Sequence, residues 1–523
     1  MKKQSLLKVT VLSLLNFALF SCSPQAEKAD TNEDLSKGET LAKNYCAGCH
    51  SYVNPELLPK AYWNSVLSKM SMHFGVNDGS TPNQLNTKEA LVRLDSAGVF
   101  PKNPTLTKEE WKAIKDFILK KAQETIPQGP RPPINFELAR FKLKPVSLDN
   151  NQQIPSLVKV LGKNRIGLGL SSSAENHSYS ITDLDGKSKA TIALPSPVTA
   201  LLQYGAKLYL TLMGPFAADD NPQGKIISIA TQDGLQINNS LEILLNNRER
   251  PIHTNIADFD KDGKNDLLVT EFGKYLGGLN LYLQNSHKGY TKKTLYNGPG
   301  AISTIIKDVN HDGLPDIYAL ISQEKEGINL YINKGHGDFE EKVLLTFPPY
   351  YGSTHFEVID FDQDGKDDII YSNGDSGDFG MPAKPFHGIR FYKNYADFSF
   401  KEEWFYPQQG TYKAIVKDFD QDGDLDIASI GFFAIATLPD ESFLYLENQG
   451  NIKGKHNFKT YSFSEARNNS YMVMDAGDID NDGDIDLVLG SSMTLLTNSE
   501  KKRQFEKWKK EGGMIMILEN TLK

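Results

Sequence analysis

Two cysteines followed directly by a histidine form the first motif in the chain that can do chemistry. The motif reads Cys46-Ala47-Gly48-Cys49-His50, and the only other cysteine of the chain is Cys22. Two thiols at this spacing on a helical turn can each add to one vinyl group of a haem, and the following histidine then faces the iron. A zinc site would need further thiolates or imidazoles at ligand spacing, and a redox dithiol would follow a strand rather than a helical segment. The motif therefore predicts one covalent haem c, with Cys46 and Cys49 as attachment points and His50 as an iron ligand.

A second iron ligand is expected at the end of a predicted helical segment, residues 61–70. Met70 and Met72 are the only methionines between His50 and the end of the predicted haem domain. A thioether opposite a histidine raises the reduction potential and suits an electron carrier, so Met70 is the first choice and Met72 the second. His73 is the alternative and would give a lower-potential iron with two histidine ligands. Both methionines can also be core residues, because methionine commonly fills gaps in cores.

Five short acidic loops form a second set of candidate ligands. Each loop has carboxylate or amide side chains at positions 1, 3, 5 and 9 and a glycine at position 6, and successive loops start 50 to 60 residues apart. Oxygen atoms at these positions can surround one calcium ion, and glycine permits the sharp turn. We therefore expect about five bound Ca²⁺ ions. The predicted ligands are Asp258, Asp260, Asp262 and Asp266; Asp308, Asn310, Asp312 and Asp316; Asp360, Asp362, Asp364 and Asp368; Asp418, Asp420, Asp422 and Asp426; and Asp478, Asp480, Asp482 and Asp486.

The sequence around these loops indicates strands rather than helices. An EF-hand opens with the same pattern but needs a glutamate at position 12 and flanking helices. Here position 12 is valine, alanine, tyrosine, serine or leucine, and each loop runs into a strand-like segment. Strand, calcium loop and strand at this period resemble the FG-GAP and VCBS repeats that build β-propeller blades.

This resemblance implies a propeller around a central channel. Residues 145–250 have room for two more blades before the first acidic loop, and Asp183-Leu184-Asp185-Gly186 resembles a degenerate loop. Two blades and five blades give seven, although six and eight blades remain open.

The helical part of the sequence precedes these repeats. Thr107 and Glu110 have the spacing of a capping box, and an amphipathic helix follows through about residue 125. An opening helix that carries the haem cysteines and a closing helix packed across it resemble the small monohaem cytochromes c, over residues 34–128. The expected fold class is therefore a small all-α cytochrome c-like domain followed by an all-β propeller.

The first residues resemble a bacterial lipoprotein signal. Lysines precede a short apolar stretch, residues 6–20, which ends before Cys22. The resemblance implies cleavage before Cys22 and a lipid on its thiol, whereas ordinary secretory cleavage would leave Cys22 unused. The expected order is a signal peptide (1–21), a flexible tether (22–33), the haem domain (34–128), a Pro-rich linker (129–144) and the propeller (145–523). The expected location is the bacterial cell envelope, with the protein anchored to the membrane by lipid and facing the periplasm or the cell surface.

Polar residues that precede the acidic loops are candidates for a site inside the channel. The first strand of each blade lines the channel, and side chains alternate in direction along it. Residues five, three and one positions before a loop are therefore expected to face the channel. We predict a binding or catalytic ring of His253, His355, Glu357 and Lys413, on the face opposite the calcium loops, although polar walls can also simply hold water. The long insertions 373–387, 432–442 and 491–513 are expected on the same face.

Two functions of different classes follow from these features. The first is electron transfer to a redox partner protein, in which the propeller could itself be a dehydrogenase that passes electrons to the haem. The second is binding or adhesion, in which the propeller captures a sugar, a polysaccharide or a protein and the haem is a relay or sensor. Nucleic acid is not expected as a partner, because 57 basic residues stand against 66 acidic ones.

Overall fold

The computed structural model describes residues 31–76, 78, 88–148, 154–173, 175–216, 219–287, 289–377, 382–396, 398–452, 455–493 and 495–522. The predicted signal peptide, the predicted lipidation site Cys22 and most of the predicted tether lie outside these residues. No helix among them has both the length and the apolar character needed to cross a membrane.

Four helices form the N-terminal domain. They are α1 (Thr31–Cys46), α2 (Lys60–His73), α3 (Lys88–Ser96) and α4 (Lys108–Lys121). Thr107 and Glu110 form the capping box at the start of α4 that their spacing predicts. Helix α1 packs closely on α4 at Gly38, where a Cβ atom would lie 2.3 Å from the carbonyl oxygen of Ala113. The buried core between the helices includes Trp63, Leu67, Trp111, Ile114 and Phe117.

The rest of the chain is a propeller of seven four-stranded antiparallel sheets. The first strand, β1 (Phe141–Val146), belongs to blade 7. Blade 1 contains β2 (Ile154–Gly162), β3 (Arg165–Ser171), β4 (His177–Asp183) and β5 (Ser188–Leu194). Blade 2 contains β6 (Val198–Tyr204), β7 (Lys207–Leu212), β8 (Gly224–Gln232) and β9 (Gln236–Arg248). Blade 3 contains β10 (Pro251–Ala257), β11 (Asp266–Glu271), β12 (Gly278–Gln284) and β13 (Tyr290–Asn297).

The remaining blades repeat the same order. Blade 4 contains β14 (Ala301–Lys307), β15 (Asp316–Ile321), β16 (Gly327–Asn333) and β17 (Phe339–Thr346). Blade 5 contains β18 (Ser353–Ile359), β19 (Asp368–Asn373), β20 (Gly388–Asn394) and β21 (Phe400–Pro407). Blade 6 contains β22 (Thr411–Lys417), β23 (Asp426–Gly431), β24 (Phe443–Ile452) and β25 (Lys455–Tyr461). Blade 7 contains β26 (Ser470–Gly477), β27 (Asp486–Ser492), helix α5 (Asn498–Glu511) and β28 (Ile515–Asn520). The predicted fold class, including seven blades, is confirmed.

The ring is closed by pairing between the two ends of the propeller sequence. Strand β1 lies at the outer edge of blade 7 and pairs antiparallel with β28, from Phe141 opposite Asn520 to Val146 opposite Ile515. The propeller therefore begins inside the segment 129–144 that the sequence indicates as a linker. Pro145 is tolerated in β1 because an edge strand has one side without ladder hydrogen bonds.

The two faces of the propeller carry different connections. We call the face with the loops between first and second strands the lower face, and the face with the loops between second and third strands the upper face. All five acidic loops join the first and second strands of blades 3 to 7 and lie on the lower face. The insertions 374–387, 432–442 and 493–514 join second and third strands, so their described residues lie on the upper face.

Blades 1 and 2 close their first two strands with short turns instead of acidic loops. Lys163 and Asn164 form the turn in blade 1, and both have positive φ. The segment from Asp183 to Gly186, interpreted from sequence as a degenerate acidic loop, is instead the turn between the third and fourth strands of blade 1. Its carboxylate at Asp183 accepts the amides of Asp185 and Lys187, so it closes a hairpin rather than a cation loop.

Candidate functional site

The predicted haem-attachment residues lie at the end of α1. Cys46 is half-buried, Cys49 is exposed, and both are free thiols. Burial, together with the nearby Cys49, raises the pKa of the Cys46 thiol to about 11. A redox dithiol needs a thiol whose pKa is lowered. The raised pKa therefore disfavours thiol–disulfide exchange at Cys46.

A hydrogen bond to the backbone sets the tautomer of His50. Its Nδ1 lies 2.8 Å from the backbone carbonyl oxygen of Ser51. Because a carbonyl can only accept, Nδ1 must donate its proton, and this leaves the lone pair of Nε2 free for a metal. The two thiols and this imidazole fit a covalently attached haem.

Helix α2 carries the three candidates for a second iron ligand. Met70 is half-buried and packs against the core of the helical domain. Met72 is also half-buried, and its carbonyl oxygen accepts the amide of Gly75. Burial, and then the nearby charge of His50, lowers the pKa of His73. The imidazoles of His50 and His73 therefore lie within electrostatic range of each other.

The histidine end of α2 contacts the upper face of the propeller. The ring of His73 lies 5.2 Å from that of Phe100 and 6.0 Å from that of Tyr275. Tyr275 belongs to the loop between β11 and β12 in blade 3, and its ring lies 5.2 Å from that of Phe100. Burial raises the pKa of Glu324 in blade 4, and the nearby His50 opposes this shift. Both histidines therefore lie close to upper-face loops of blades 3 and 4.

Polar contacts fix this docking arrangement. Arg93 of α3 forms an ion pair with Glu249 and donates a hydrogen bond to the carbonyl oxygen of Asp220. The buried carboxylate of Asp220 accepts the backbone amides of Tyr275 and Leu276, each at 2.9 Å. Asp220 therefore contacts both Arg93 of the helical domain and the propeller loop that contains Tyr275.

The chain then crosses the upper face before it enters β1. Gln128 donates a hydrogen bond to the carbonyl oxygen of Ala383 in blade 5, at 2.9 Å. Arg131 forms an ion pair with Glu441 in blade 6, at 2.6 Å. Further along, Asn135 forms a bridge to Tyr461 at the outer edge of blade 6. The connecting segment is therefore fixed to the propeller at several points.

The predicted channel residues lie on first strands, and their side chains alternate as the sequence indicates. His253, His355, Glu357 and Lys413 are partly exposed, whereas the neighbouring side chains of Thr254 and Phe356 are buried. Two further charged residues join the group: Lys159 in blade 1 and Asp475 in blade 7, whose side chains form an ion pair at 3.1 Å. Lys159 is not among the predicted residues because blade 1 has no acidic loop from which to count back.

The buried environment of the channel shifts the pKa values of its titratable groups. Burial, together with the charges of Lys413 and Lys159, lowers the pKa of His253 to about 4. Burial and Lys413 also hold the pKa of His355 well below its usual range. Burial raises the pKa of Glu357 to about 7, although the charge of Lys413 opposes the shift. Both imidazoles are thus neutral at neutral pH, while Glu357 can gain or lose a proton there.

The hydrogen bonds of the channel residues are incomplete. Lys413 donates to the carbonyl oxygen of Met474 at 2.9 Å, and Glu357 accepts the amide of Val416 at 3.3 Å. The buried atoms Nδ1 of His355 and Oγ of Ser303 have no hydrogen-bond partner among the described residues. Buried polar atoms without a partner are uncommon and are often completed by water or a ligand. The channel can therefore accept a polar molecule.

The acidic loops bring carboxylates together on the lower face. In four loops, three carboxylates have oxygen atoms within 4.8 Å of one another. These sets are Asp258, Asp260 and Asp262; Asp360, Asp362 and Asp368; Asp418, Asp420 and Asp422; and Asp478, Asp480 and Asp486. The remaining loop has Asn310 at position 3, where an amide oxygen takes the place of a carboxylate. The geometry of these sets is compatible with calcium.

Position 9 of each acidic loop ties the loop to its blade. In blade 3, the buried carboxylate of Asp266 accepts the amide of Phe259 in the loop and that of Gln284 in the third strand. Burial raises the pKa of Asp266 to about 6 and that of Asp486, the corresponding residue of blade 7, to about 7. A bound cation would favour the ionised form of these groups.

The glycine at position 6 is required by the backbone in every loop. In blade 3, Gly263 has φ +83°, and its amide donates to the carboxylate of Asp258 at 2.9 Å. The same pair is Gly483 and Asp478 in blade 7, at 3.1 Å. The carboxylate at position 1 thus receives a hydrogen bond from the turn and still has lone pairs for a metal.

Family models match two parts of the chain. The model of the FG-GAP-like repeat matches residues 258–319, 308–371 and 418–489. The model of the dihaem cytochrome c family matches residues 42–98, a segment that contains the single Cys-x-x-Cys-His motif of this chain. A comparison with curated proteins gives no match.

Two solved structures are similar to parts of the chain at low sequence identity. One is a protein from Bacteroides uniformis described as a 6-phosphogluconolactonase, with 10% identity over 58% of this chain and 83% of that chain, at a TM-score of 0.36. The other is the computationally designed Ika8 protein, with 8% identity over 72% of this chain and all of that chain, at a TM-score of 0.38. The family matches and the geometry together show a cytochrome c-like domain, which implies haem c, joined to a seven-bladed propeller that contains FG-GAP-like repeats.

Proposed function

We propose that this protein is an envelope-anchored electron-transfer protein with one covalent haem c, whose propeller binds a substrate or a partner protein at its channel. A single haem is proposed because the chain has one attachment motif. The observation that carries the proposal is the docking of the haem-binding residues on the upper face, where the first strands begin. There His73 contacts Tyr275, and His50 lies near Glu324.

The residues of the helical domain hold the haem and set its surroundings. Cys46 and Cys49 would form the covalent attachment of the haem, and a ring nitrogen of His50 would be one ligand of its iron. When bound, the haem supplies reversible one-electron transfer. Among the candidates for the second ligand, Met70 is the first choice, Met72 is the second and His73 is the alternative, and all three lie on α2. The rings of Tyr275 and Phe100 pack against the ring of His73.

We propose that the channel binds a small polyhydroxylated molecule such as a sugar. Lys159 and Lys413 supply ammonium donors, and the neutral imidazoles of His253 and His355 can both donate and accept hydrogen bonds. Glu357 is a suitable proton acceptor because its pKa is raised to about 7. A dehydrogenase reaction in the propeller would also need a two-electron acceptor, for which pyrroloquinoline quinone is the class to test.

The experiment records the visible spectrum of the oxidised, calcium-loaded protein before and after a panel of sugars and alcohols, with and without pyrroloquinoline quinone. Substrate-dependent appearance of the reduced haem bands would support a catalytic propeller. The His253→Ala/His355→Ala variant should lose this response while its haem spectrum and fold stay unchanged. An unchanged response in that variant would remove the channel ring from the proposal.

A binding module is the second candidate, and the incomplete hydrogen bonds of the channel favour it equally. In this case the panel leaves the haem oxidised, yet a sugar, a polysaccharide or a protein binds with measurable heat in a calorimeter. The haem would then relay electrons to a redox partner protein or act as a sensor.

We also propose that five calcium ions stabilise the lower face and that lipidated Cys22 anchors the chain to the membrane. The clustered carboxylates support the calcium proposal. Chelation of calcium should lower the thermal stability of the propeller. A Cys22→Ala variant should move from the membrane fraction to the soluble envelope fraction, and a variant that remains on the membrane would contradict the anchor.

A further inference from the structure

The five acidic loops differ at position 7. This position is Lys264 in blade 3, Leu314 in blade 4, Lys366 in blade 5, Asp424 in blade 6 and Asp484 in blade 7. In an ordinary loop of this type the backbone carbonyl of position 7 is the ligand and its side chain is free to vary. Counted over positions 1, 3, 5, 7 and 9, the lysine-containing loops have four acidic groups and a lysine, whereas the loops of blades 6 and 7 have five acidic groups. Asp367, at position 8 of the blade 5 loop, forms an ion pair with Lys307 of blade 4.

The loops of blades 3 and 5 contain their own positive charge. Lys264 forms an ion pair with Asp262 in the same loop. Lys366 pairs with Asp364 at 3.0 Å, and Lys393 of strand β20 also pairs with Asp364, at 2.9 Å. These ammonium groups reduce the repulsion among the carboxylates without a metal. A calcium ion must displace them or bind against their charge.

The loop of blade 7 has the opposite character. Asp484 is 2% exposed, neither of its carboxylate oxygens accepts a hydrogen bond of normal geometry among the described residues, and the backbone amide of Leu522 lies near enough to oppose the rise of its pKa. Its carboxyl group lies next to that of Asp482, and the charge of Asp480 also raises its pKa. In the part of the chain that the structure describes, no lysine or arginine forms an ion pair with the five acidic groups of this loop. A buried carboxylate without a partner is costly, and a divalent cation is the group that would satisfy it.

The loop of blade 6 has the same arrangement with one added positive charge. Asp424 is half-buried, its Oδ1 has no partner among the described residues, and its carboxyl group lies next to that of Asp422. Arg140, which directly precedes β1, reaches Asp420 at 3.3 Å and Glu447 at 3.7 Å. This loop is therefore intermediate in charge between the loop of blade 7 and the lysine-containing loops.

We propose that the loops of blades 6 and 7 form a separate class of calcium site, in which Asp424 and Asp484 add a fifth carboxylate and bind the ion more tightly than the lysine-containing loops do. This inference rests on the proposed binding of calcium to the acidic loops. Calcium affinity in oxygen sites rises with the number of charged ligands, which gives the direction of the difference.

The two five-carboxylate sites lie where the ring closes. Asn520 is the last residue of β28, and its backbone amide donates to Asp486 of the blade 7 loop at 2.8 Å. Its side-chain amide donates to the carbonyl oxygen of Phe419 in the blade 6 loop, also at 2.8 Å. Strand β28 in turn pairs with β1. Calcium at these two sites therefore stabilises the contact between the two ends of the propeller and the residues that lead in from the haem domain.

The test is a calorimetric titration of the full-length haem protein with CaCl₂ after removal of bound calcium with a chelator. We expect two tight sites followed by weaker ones. The Asp424→Asn/Asp484→Asn variant should bind at the tight sites roughly tenfold more weakly or worse. The matched control Asp262→Asn changes one carboxylate in blade 3 and should leave the tight sites unaltered.

Circular dichroism and the haem spectrum would show whether the double variant folds. If it does not fold, a variant that gains calcium affinity provides the test. The Lys264→Asp variant gives the blade 3 loop a fifth carboxylate and should raise the number of tight sites from two to three. Lys264→Ala removes the lysine without adding a carboxylate and should produce a smaller gain in affinity.

The outcomes separate this inference from the proposed binding of calcium. Equivalent sites in the unaltered protein, or a Lys264→Asp variant that binds no better than Lys264→Ala, would overturn the two-class proposal and leave calcium binding intact. A titration without any heat of binding, together with a melting temperature that calcium does not change, would overturn calcium binding itself.

Discussion

Blades 1 and 2 solve the same geometric problem as blades 3 to 7 by different means. In blade 1, a turn of two residues, Lys163 and Asn164, joins the first two strands, and both residues have positive φ. In blade 3, the connection runs from Asp258 to Gly263 and on to Asp266, whose carboxylate holds the loop to the third strand. Both connections join first and second strands that pair antiparallel at the same position in their blades. The blade fold itself therefore does not depend on an acidic loop.

The comparison separates two sources of stability. A short turn is stable when its residues tolerate the required backbone angles, and this depends little on solution conditions. An acidic loop places several carboxylates within a few ångströms, so its stability depends on a counter-charge. Blade 1, which has a short turn, also contacts an acidic loop. The amide of Lys163 in that turn donates to the side chain of Asn481 in the blade 7 loop at 2.7 Å.

Removal of calcium should have the largest effect on stability among the changes that distinguish blades 1 and 2 from blades 3 to 7. Each site that is occupied at a calcium concentration 100 times its dissociation constant contributes about 2.7 kcal/mol to the free energy of unfolding. We expect excess chelator to lower the melting temperature of the propeller by several degrees or more, measured by circular dichroism in the strand region. Addition of calcium should restore it, whereas addition of magnesium at equal concentration should restore less. A melting temperature that chelator does not change would show that all seven blades are stabilised as blades 1 and 2 are.

The pH dependence of stability should change sign with calcium. Without calcium, burial raises the pKa of Asp266 and Asp368 to about 6 and that of Asp426 and Asp486 to about 7. The folded state then binds more protons than the unfolded state, so these residues should make the protein more stable as pH falls from about 7 toward 4. With calcium bound, protons compete with the ion for the carboxylates, so stability should fall over the same interval.

Melting curves between pH 7.5 and 5, with calcium and with chelator, measure this sign. Substitution of Asp426 and Asp486 by asparagine should flatten the dependence of the calcium-free protein. Parallel curves in the two conditions would contradict the assignment of these carboxylates to cation sites.

The smallest effect is expected in the turn of blade 1. Asn-Gly is the preferred pair for a two-residue hairpin with positive φ at both positions. The change Lys163→Asn with Asn164→Gly should stabilise the protein by about 1 kcal/mol, because it relieves the strain of side chains in the left-handed region, and denaturant unfolding measures this gain. The gain should be the same with calcium and with chelator, and a gain that appears only with calcium would show that the turn acts through the neighbouring loop of blade 7.

The sequence predicts the parts of the molecule in which one local chemical requirement dictates residue types. The acidic loops need oxygen atoms at fixed positions and a glycine such as Gly263 at positive φ, so five blades are visible without a structure. Haem attachment needs Cys46, Cys49 and His50 in a fixed order. Blades 1 and 2 follow from the remaining length, because their turns are too short to have a distinct sequence pattern.

The sequence does not predict the features that depend on contacts between distant residues. Strand β1 includes Pro145 and follows a Pro-rich segment, so only its pairing with β28 identifies it as part of blade 7. Lys159 enters the channel site by its ion pair with Asp475, 316 residues away. The contact of Arg93 with Glu249 places the haem domain on the upper face, and a single surface arginine gives no local signal of such docking.

The most direct test of electron transfer by one covalent haem is a potentiometric titration that follows the visible spectrum of the purified full-length protein. The haem content is measured on the same sample. We expect one haem per chain, bound through thioether bonds that survive denaturation, and one reversible one-electron transition. A Cys46→Ser/Cys49→Ser variant should lose the covalent haem and keep the calcium-dependent melting of the propeller. A protein that contains no haem after production in cells that attach haem c, or one that contains two haems per chain, would show that this chain is not a carrier of a single haem.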